Sequence, residues 1–197
     1  MTKIAILVSG NGTNMEALCD HIQRKDLDAE VAFVASDNPE APALVKADRL
    51  GIRTVILPYR KAGRKEAEKV LTDLLEQADV EWVVLAGFMK ILSPEFVAGH
   101  KDRIVNIHPS LLPAFPGAKG IEDAWNYGVK ITGVTIHLVD EKMDNGPVLA
   151  QEAVKVETKD TLERLAEKIH KTEHDLYWKT LSSLFKGKLI YTNRRNS

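Results

Sequence analysis

Residues 4–14 read IAILVSGNGTN, and this stretch decides the fold. Its first five residues form a continuous apolar run, which is typical of a strand buried on both faces of a parallel sheet. The glycine-containing residues 9–14 predict a tight turn, and apolar side chains then recur at helical spacing from Met15 to Ile22. The chain therefore opens with a predicted strand–turn–helix unit.

The same alternation continues through the next hundred residues. Further apolar runs follow at residues 31–35, 54–57, 82–86 and 104–108, with helical patterns between several of them. Such alternation predicts right-handed βαβ units and a mostly parallel sheet. Two later strand-like runs, 132–139 and 148–156, predict an antiparallel extension, and a long helix over about 160–186 closes the domain. We predict one α/β domain over residues 1–197, Rossmann-like and open, with helices on both faces and a flexible tail at 193–197.

Composition excludes several classes of protein. The chain has 197 residues, a formal net charge of −1 and one cysteine, Cys19. Binding to nucleic acid needs a basic face, and no block of Lys and Arg interleaved with aromatics appears. A single cysteine suits a reducing compartment, and neither a membrane-spanning run nor a signal peptide is evident. We expect a cytoplasmic monomer or homodimer that acts on small molecules, without nucleic acid or membrane as partner.

The turn at residues 9–14 admits two interpretations. Glycines let the backbone approach a ligand closely, and N–H groups at a helix start favour an anion such as phosphate. The turn is not a full G-x-G-x-x-G motif and no Walker lysine follows, so neither a dinucleotide nor a nucleoside triphosphate is indicated. The structural alternative is a tight turn in which Thr13 or Asn14 caps the helix.

A second candidate site follows the fifth predicted strand. Asn106 and His108 lie two residues apart, so they project from the same face of the strand. An amide beside an imidazole suits stabilisation of a developing oxyanion and proton exchange near neutral pH. Asp144 can pair with His108, or it can simply stabilise its own turn. We interpret His21, His100 and His137 as structural.

Glu173 interrupts the apolar stripe of the closing helix. A carboxylate on a core-facing line needs a partner, which is either a salt bridge or the hydroxyls of a ligand. His170 and His174 flank it at i, i+4 spacing, but the glutamate does not occupy its position in a zincin helix. We therefore interpret both as surface histidines and predict no metal site.

Four segments closely resemble the phosphoribosylglycinamide formyltransferase family in its folate-dependent bacterial form. They are ILVSGNGTN at 6–14, LAGFMKIL at 85–92, NIHPSLLP at 106–113 and MDNGPV at 143–148. The resemblance extends from the first strand to about Tyr177. It implies the formyltransferase fold and direct transfer of a formyl group from 10-formyltetrahydrofolate to the amine of 5-phosphoribosylglycinamide, in purine synthesis.

The resemblance also implies roles for individual residues. The catalytic set would be Asn106, His108 and Asp144, and Glu173 would meet the ribose hydroxyls. The phosphoribosyl end of the substrate would contact Gly12, Thr13 and Asn14. The formyl-folate would contact Arg64, Met89, Lys90, Ile91, Leu92, Asn106, Val139, Asp140 and Asp144. Family members often have Arg at position 90 and histidines within 117–121, so no catalytic role is assigned to that second stretch here.

Three alternatives stay open. Formyltetrahydrofolate deformylase uses water in place of the amine and usually carries an additional N-terminal domain. Methionyl-tRNA formyltransferase shares the Asn, His and Asp set but resembles a longer chain with a basic C-terminal domain. A non-catalytic phosphate-binding module explains the first turn, yet gives no reason for Asn106, His108 and Asp144 to occur together.

Overall fold

The computed structural model describes residues 1–189, so the predicted tail at 193–197 lies outside the described residues. The helices and strands are β1 (Thr2–Val8), α1 (Thr13–Gln23), β2 (Ala29–Ser36), α2 (Pro42–Arg49), β3 (Thr54–Ile56), α3 (Tyr59–Gln77), β4 (Trp82–Leu85), α4 (Pro94–Gly99), β5 (Ile104–His108), α5 (Gly120–Tyr127), β6 (Ile131–Leu138), β7 (Val148–Lys155) and α6 (Leu162–Phe185). The sheet order is β3-β2-β1-β4-β5-β6-β7. Strand β1 pairs in parallel with β2 and β4, whereas β6 and β7 are antiparallel. The predicted α/β fold with a mixed, mostly parallel sheet is confirmed.

Contacts divide the chain into two compact units, one of Met1–Val105 and a second that begins at Asn106. The prediction of a single domain stays a prediction. Within residues 1–189, no helix is both long and apolar enough to cross a membrane.

In the first unit, β1 lies between two parallel neighbours, and all five residues of the run at 4–8 are fully buried. The turn after β1 lacks the helix cap by Thr13 or Asn14 that the structural alternative predicts. The residue before α1 is Gly12, which has a left-handed backbone at φ 72°, and no side chain caps the helix. A Cβ on Gly12 would lie 2.5 Å from the Cβ of Ala43, so glycine is required there on both steric and conformational grounds.

Two other predictions in the first unit have clear outcomes. The apolar spacing predicts a helix over about 64–78, whereas α3 begins at Tyr59, because one helical turn precedes an interruption at Gly63 with φ 80° and ψ 175°. Cys19, which the helical spacing predicts to be a buried helix residue, is buried in α1. Burial raises the pKa of its thiol to about 11, so the sulfur stays protonated and does not act as a nucleophile.

In the second unit, α6 packs against both antiparallel strands and against α5. Thr161 precedes the helix, and its hydroxyl accepts the N–H of Arg164 at 3.3 Å, which explains why the helix begins at Leu162. Leu165, Ile169 and Leu181 form its fully buried apolar face. The unit thus gives the loops after β5 and β6 a rigid base.

Candidate active site

The second unit brings together the three side chains that the sequence singled out for catalysis. Asn106 and His108 belong to β5, and His108 is only 4% exposed. Asp144 approaches from the loop after β6, and its Oδ2 lies 3.6 Å from His108 Nδ1. That separation is an ion-pair distance but longer than a hydrogen bond, so Nδ1 is not committed to the carboxylate.

The other imidazole nitrogen of His108 forms a hydrogen bond to the protein backbone. Nε2 donates to the carbonyl oxygen of Phe115 at 2.8 Å, and the hydroxyl of Ser110 donates to the carbonyl of Ala114 at 2.5 Å. The loop that carries these carbonyls contains a cis peptide bond between Leu112 and Pro113 and a left-handed Phe115. Since a carbonyl accepts only, Nε2 carries a hydrogen and Nδ1 is the nitrogen left for a substrate.

Asp144 is oriented by Gly117, which lies in the stretch 117–121 to which we assigned no catalytic role from the sequence. The backbone N–H of Gly117 donates to Asp144 Oδ2 at 2.7 Å. A hydrogen bond to an ionised oxygen is stronger than a neutral one and stabilises the charged form. Gly117 therefore contributes to the site through its backbone, which no side-chain pattern could have indicated.

His137, which we interpreted as structural, is buried directly beside Asn106. It is 2% exposed, and the amide Nδ2 of Asn106 donates to its Nε2 at 3.1 Å. Its Nδ1 donates to the carbonyl of Leu138 at 2.8 Å, and its Nε2 lies 3.8 Å from Asp144 Oδ1. Burial lowers the pKa of His137, which keeps the ring neutral and able to accept from Asn106.

A buried hydroxyl anchors the loop beneath His108. Thr135, on β6, is fully buried and donates to the carbonyl of Ser110 at 2.7 Å. The same hydroxyl oxygen accepts the N–H of Leu112 at 3.0 Å and the amide of Gln151 at 2.9 Å. These three hydrogen bonds of Thr135 connect the loop to β6 and β7, and so they hold in place the carbonyls that orient His108.

The predicted ribose contact, Glu173, has a protein partner on its own helix. Glu173 is 4% exposed, and its Oε2 lies 2.9 Å from His170 Nδ1. This hydrogen bond raises the pKa of His170. One oxygen of Glu173 thus has a salt-bridge partner, and His170 lies at the surface as predicted, whereas His174 is only partly exposed.

The loop after β6 is held by Asp140, a predicted folate contact. Its Oδ1 accepts the N–H of Lys142 and its Oδ2 accepts the amide of Asn145, both at 2.9 Å. Asp140 therefore shapes the turn that delivers Asp144.

The first unit carries the remaining predicted contacts. Gly12, Thr13 and Asn14 form the start of α1, and a helix start is the kind of position that favours an anion. Two apolar side chains after β4, Met89 and Ile91, are 60% and 62% exposed, whereas Leu92 is buried.

Two basic side chains accompany these residues. The ammonium of Lys90 lies 3.6 Å from Asp37 Oδ2. Arg64 is exposed and directly follows the interruption of α3 at Gly63. Within residues 1–189, no group of three or more His, Cys, Asp or Glu side chains is arranged to hold a metal ion.

Comparison with known proteins agrees with this arrangement. The sequence matches the formyl transferase family over residues 2–181. It is 37% identical, over 93% of this chain and 95% of the relative, to phosphoribosylglycinamide formyltransferase from Bacillus subtilis. The crystal structure of phosphoribosylglycinamide formyltransferase from Bacillus halodurans superposes with a TM-score of 0.89 at 43% identity, covering 93% of this chain and 95% of that one.

A formyltetrahydrofolate deformylase from Pseudomonas syringae is more distant. Its structure superposes with a TM-score of 0.87, but the identity is 26%, and the match covers 94% of this chain and 62% of that one. The formyltransferase fold is thus confirmed, and the identity to these two phosphoribosylglycinamide formyltransferases is higher than the identity to the deformylase. The chain belongs to the phosphoribosylglycinamide formyltransferase family.

Proposed function

We propose that the protein transfers the formyl group of 10-formyltetrahydrofolate to the amine of 5-phosphoribosylglycinamide, a step of purine synthesis. The products are the formylated ribonucleotide and tetrahydrofolate. The observation that carries the proposal is the cluster of Asn106, His108 and Asp144 in a chain of this family. A cytoplasmic location and a monomeric or homodimeric state stay predictions from the sequence.

In the proposed mechanism, the neutral amine attacks the formyl carbon and the carbonyl oxygen becomes an oxyanion. Asn106 Nδ2 uses one hydrogen for His137, so its second hydrogen can point to the oxyanion. His108 donates from Nδ1, because Nε2 is held by the Phe115 carbonyl. Two donors directed at the developing oxyanion stabilise its charge.

Asp144 has two roles in this mechanism. Its carboxylate lies 3.6 Å from His108 Nδ1 and would interact favourably with the imidazole while that ring donates to the oxyanion. It also accepts the amine proton, directly or through a water, and returns it to the departing folate nitrogen. The N–H of Gly117 keeps the carboxylate in place during both steps.

The phosphorylated substrate would be held by two further groups. Its phosphate would accept from the N–H groups of Gly12, Thr13 and Asn14, where the helix start is positively polarised. The ribose hydroxyls would donate to the Glu173 carboxylate, whose orientation His170 maintains. A carboxylate accepts up to four hydrogen bonds, so the bond to His170 leaves capacity for a diol.

The folate would contact both apolar and charged residues. The exposed side chains of Met89 and Ile91 offer apolar surface, which suits contact with a flat aromatic ring system. Lys90 and Leu92 complete this segment, and the exposed guanidinium of Arg64 suits the acidic tail. Val139 and Asp140 would contact the pteridine. The residues present therefore fit a formyl-folate.

The test is an assay of formyl loss from 10-formyl-5,8-dideazafolate, followed spectroscopically with and without 5-phosphoribosylglycinamide. We expect loss only when the ribonucleotide is present. Equal loss without it would make water the acceptor and would support the deformylase alternative. Absence of loss in both cases, with folded protein, would favour a binding module.

A further inference from the structure

A polar network outside the catalytic set joins the ends of three strands in the first unit. Asp37 follows β2, Ser9 follows β1, and the segment with Met89 and Lys90 follows β4. Asp37 is 7% exposed, although it carries a carboxylate. Burying an ionised carboxylate is costly unless it is paired, so its partners indicate its role.

The first partner of Asp37 is a hydroxyl that makes two hydrogen bonds. Ser9 Oγ donates to Asp37 Oδ1 at 2.5 Å and accepts the backbone N–H of Met89 at 2.8 Å. A serine hydroxyl has one hydrogen, and here that hydrogen points to Asp37. The lone pairs of the same oxygen are therefore left to accept the N–H of Met89. The carboxylate thereby orients a backbone group of the predicted folate segment through Ser9.

The second partner is the next residue of that segment. Lys90 Nζ lies 3.6 Å from Asp37 Oδ2 and 6.0 Å from the centroid of the Tyr59 ring. The ammonium is thus placed by a carboxylate on one side and by an aromatic face on another. One carboxylate therefore constrains two consecutive residues, Met89 through its backbone and Lys90 through its side chain.

Ser9 also begins the turn that leads to the predicted phosphate site. Its carbonyl oxygen accepts the amide of Asn38 at 3.5 Å, and the carbonyl of Gly10 accepts the N–H of Ala43 at 3.2 Å. The turn after β1 is therefore bound to the segments around β2 and β4 on either side. A shift of this turn on phosphate binding would move the Ser9 hydroxyl, and with it the bonds to Asp37 and Met89.

We propose that Asp37 is a positioning residue that couples two binding segments of the first unit, residues 12–14 and residues 89–92. Through Ser9 and Lys90 it links occupation of the phosphate turn to occupation of the folate segment, so that each ligand strengthens binding of the other. The inference rests on the proposed function, because it takes these two ligands as given. Such coupling is a free energy shared by both sites, and it acts equally in both directions.

The experiment measures this coupling directly. The dissociation constant of 5,8-dideazafolate, which carries no formyl group and cannot react, is determined with and without saturating 5-phosphoribosylglycinamide. In the unaltered protein we expect the ribonucleotide to tighten binding at least about fivefold. Asp37→Ala should bring that ratio close to one, and Asp37→Asn, which keeps an acceptor for Ser9, should lie between.

Matched variants separate positioning from general stability. Lys90→Met should reduce the ratio, whereas Lys90→Arg should retain it, because the guanidinium can still pair with Asp37. The control is Asp79→Asn, an exposed carboxylate of the same unit that pairs with Lys3 at 3.8 Å. Its ratio should equal that of the unaltered protein, and thermal unfolding of every variant verifies that it is folded.

The outcomes are distinct. A ratio near one in the unaltered protein, or an unchanged ratio in folded Asp37→Ala, would overturn the inference while the transferase assignment stands. If Asp37→Ala does not fold, unchanged ratios in both Asp37→Asn and Lys90→Met overturn it equally. Failure of the unaltered protein to bind either ligand would instead refute the proposed function.

Discussion

The two units treat a buried carboxylate in different ways. The side chains of Asp37 and Asp144 are 9% and 11% exposed, and each lies 3.6 Å from a basic nitrogen. For Asp37 that nitrogen belongs to the side chain of Lys90, and for Asp144 it belongs to the imidazole of His108. The difference teaches that burial alone does not mark a catalytic carboxylate. In the proposed mechanism, Asp144 differs from Asp37 because its partner is an imidazole, a group suited to proton transfer.

The two carboxylates also differ in their second hydrogen-bond donor. Asp37 accepts from the hydroxyl of Ser9, which connects it to another loop, whereas Asp144 accepts from the N–H of Gly117, a group fixed in the backbone. The former arrangement transmits displacement between segments. In the proposed mechanism, the latter holds one carboxylate oxygen of Asp144 in place while a proton is transferred.

The largest expected effect tests the catalytic side of this comparison. His108→Ala and Asp144→Asn should each lower kcat by roughly 10²–10³, since each removes an oxyanion donor or the charge that sustains it. Steady-state assays with both substrates measure the loss, and Asp37→Asn serves as the matched carboxylate substitution, with a much smaller change in kcat. Near-normal kcat in both catalytic variants, or an equal loss in Asp37→Asn, would break the comparison.

Ser9→Ala should affect stability more than chemistry. It leaves the buried Asp37 carboxylate and the Met89 N–H without their shared partner, which should lower the free energy of unfolding by about 2 kcal/mol. Denaturant unfolding measures this change, and kcat should stay within about threefold of the unaltered value if the network serves positioning. A loss of kcat comparable to that of His108→Ala would place Ser9 in the chemistry instead.

His137→Phe sharpens the description of the catalytic side. Phenylalanine fills the space of the imidazole but cannot accept from Asn106 Nδ2, so the amide loses its orientation. One lost buried hydrogen bond corresponds to about a tenfold decrease in kcat. His137→Gln, which offers an acceptor, should recover part of the activity. Equal activity of the Phe and Gln variants would argue that His137 only fills space.

The smallest effect concerns Glu173, a third buried carboxylate, whose histidine partner is half exposed. The hydrogen bond to Glu173 raises the pKa of His170, so the pair stabilises the fold below the unfolded pKa of histidine, about 6.5. That contribution disappears as the pH rises through the folded pKa. Because solvent screens the pair, His170→Gln should lower Tm by only about 1 °C at low pH.

The measurement is Tm against pH for the unaltered protein and His170→Gln. The difference should shrink as the pH rises and vanish once His170 is neutral. A difference in Tm that grows with pH would mean that the pair stabilises the fold more when His170 is neutral, which contradicts a raised pKa of His170.

Much of the fold followed from local patterns. Continuous apolar runs predicted the buried strands, because a strand covered on both faces has no polar side. The spacing of Asn106 and His108 predicted their common direction, since side chains in a strand repeat every second residue. Helix ends were less certain: the interruption at Gly63 left the turn from Tyr59 unrecognised, because φ 80° is a property of the folded backbone.

For the candidate site too, part could be predicted from the sequence and part could not. Sequence and family resemblance together named Asn106, His108 and Asp144, while the contact that makes His137 part of the site joins residues 31 positions apart. Likewise, Ser9 meets Asp37 and the Met89 amide across 28 and 80 positions, and no local pattern encodes such meetings. The sequence by itself determined which side chains can do chemistry and the βα alternation that carries them. Only the tertiary structure decided which of them touch, because strand pairing and loop packing bring distant residues within hydrogen-bond reach.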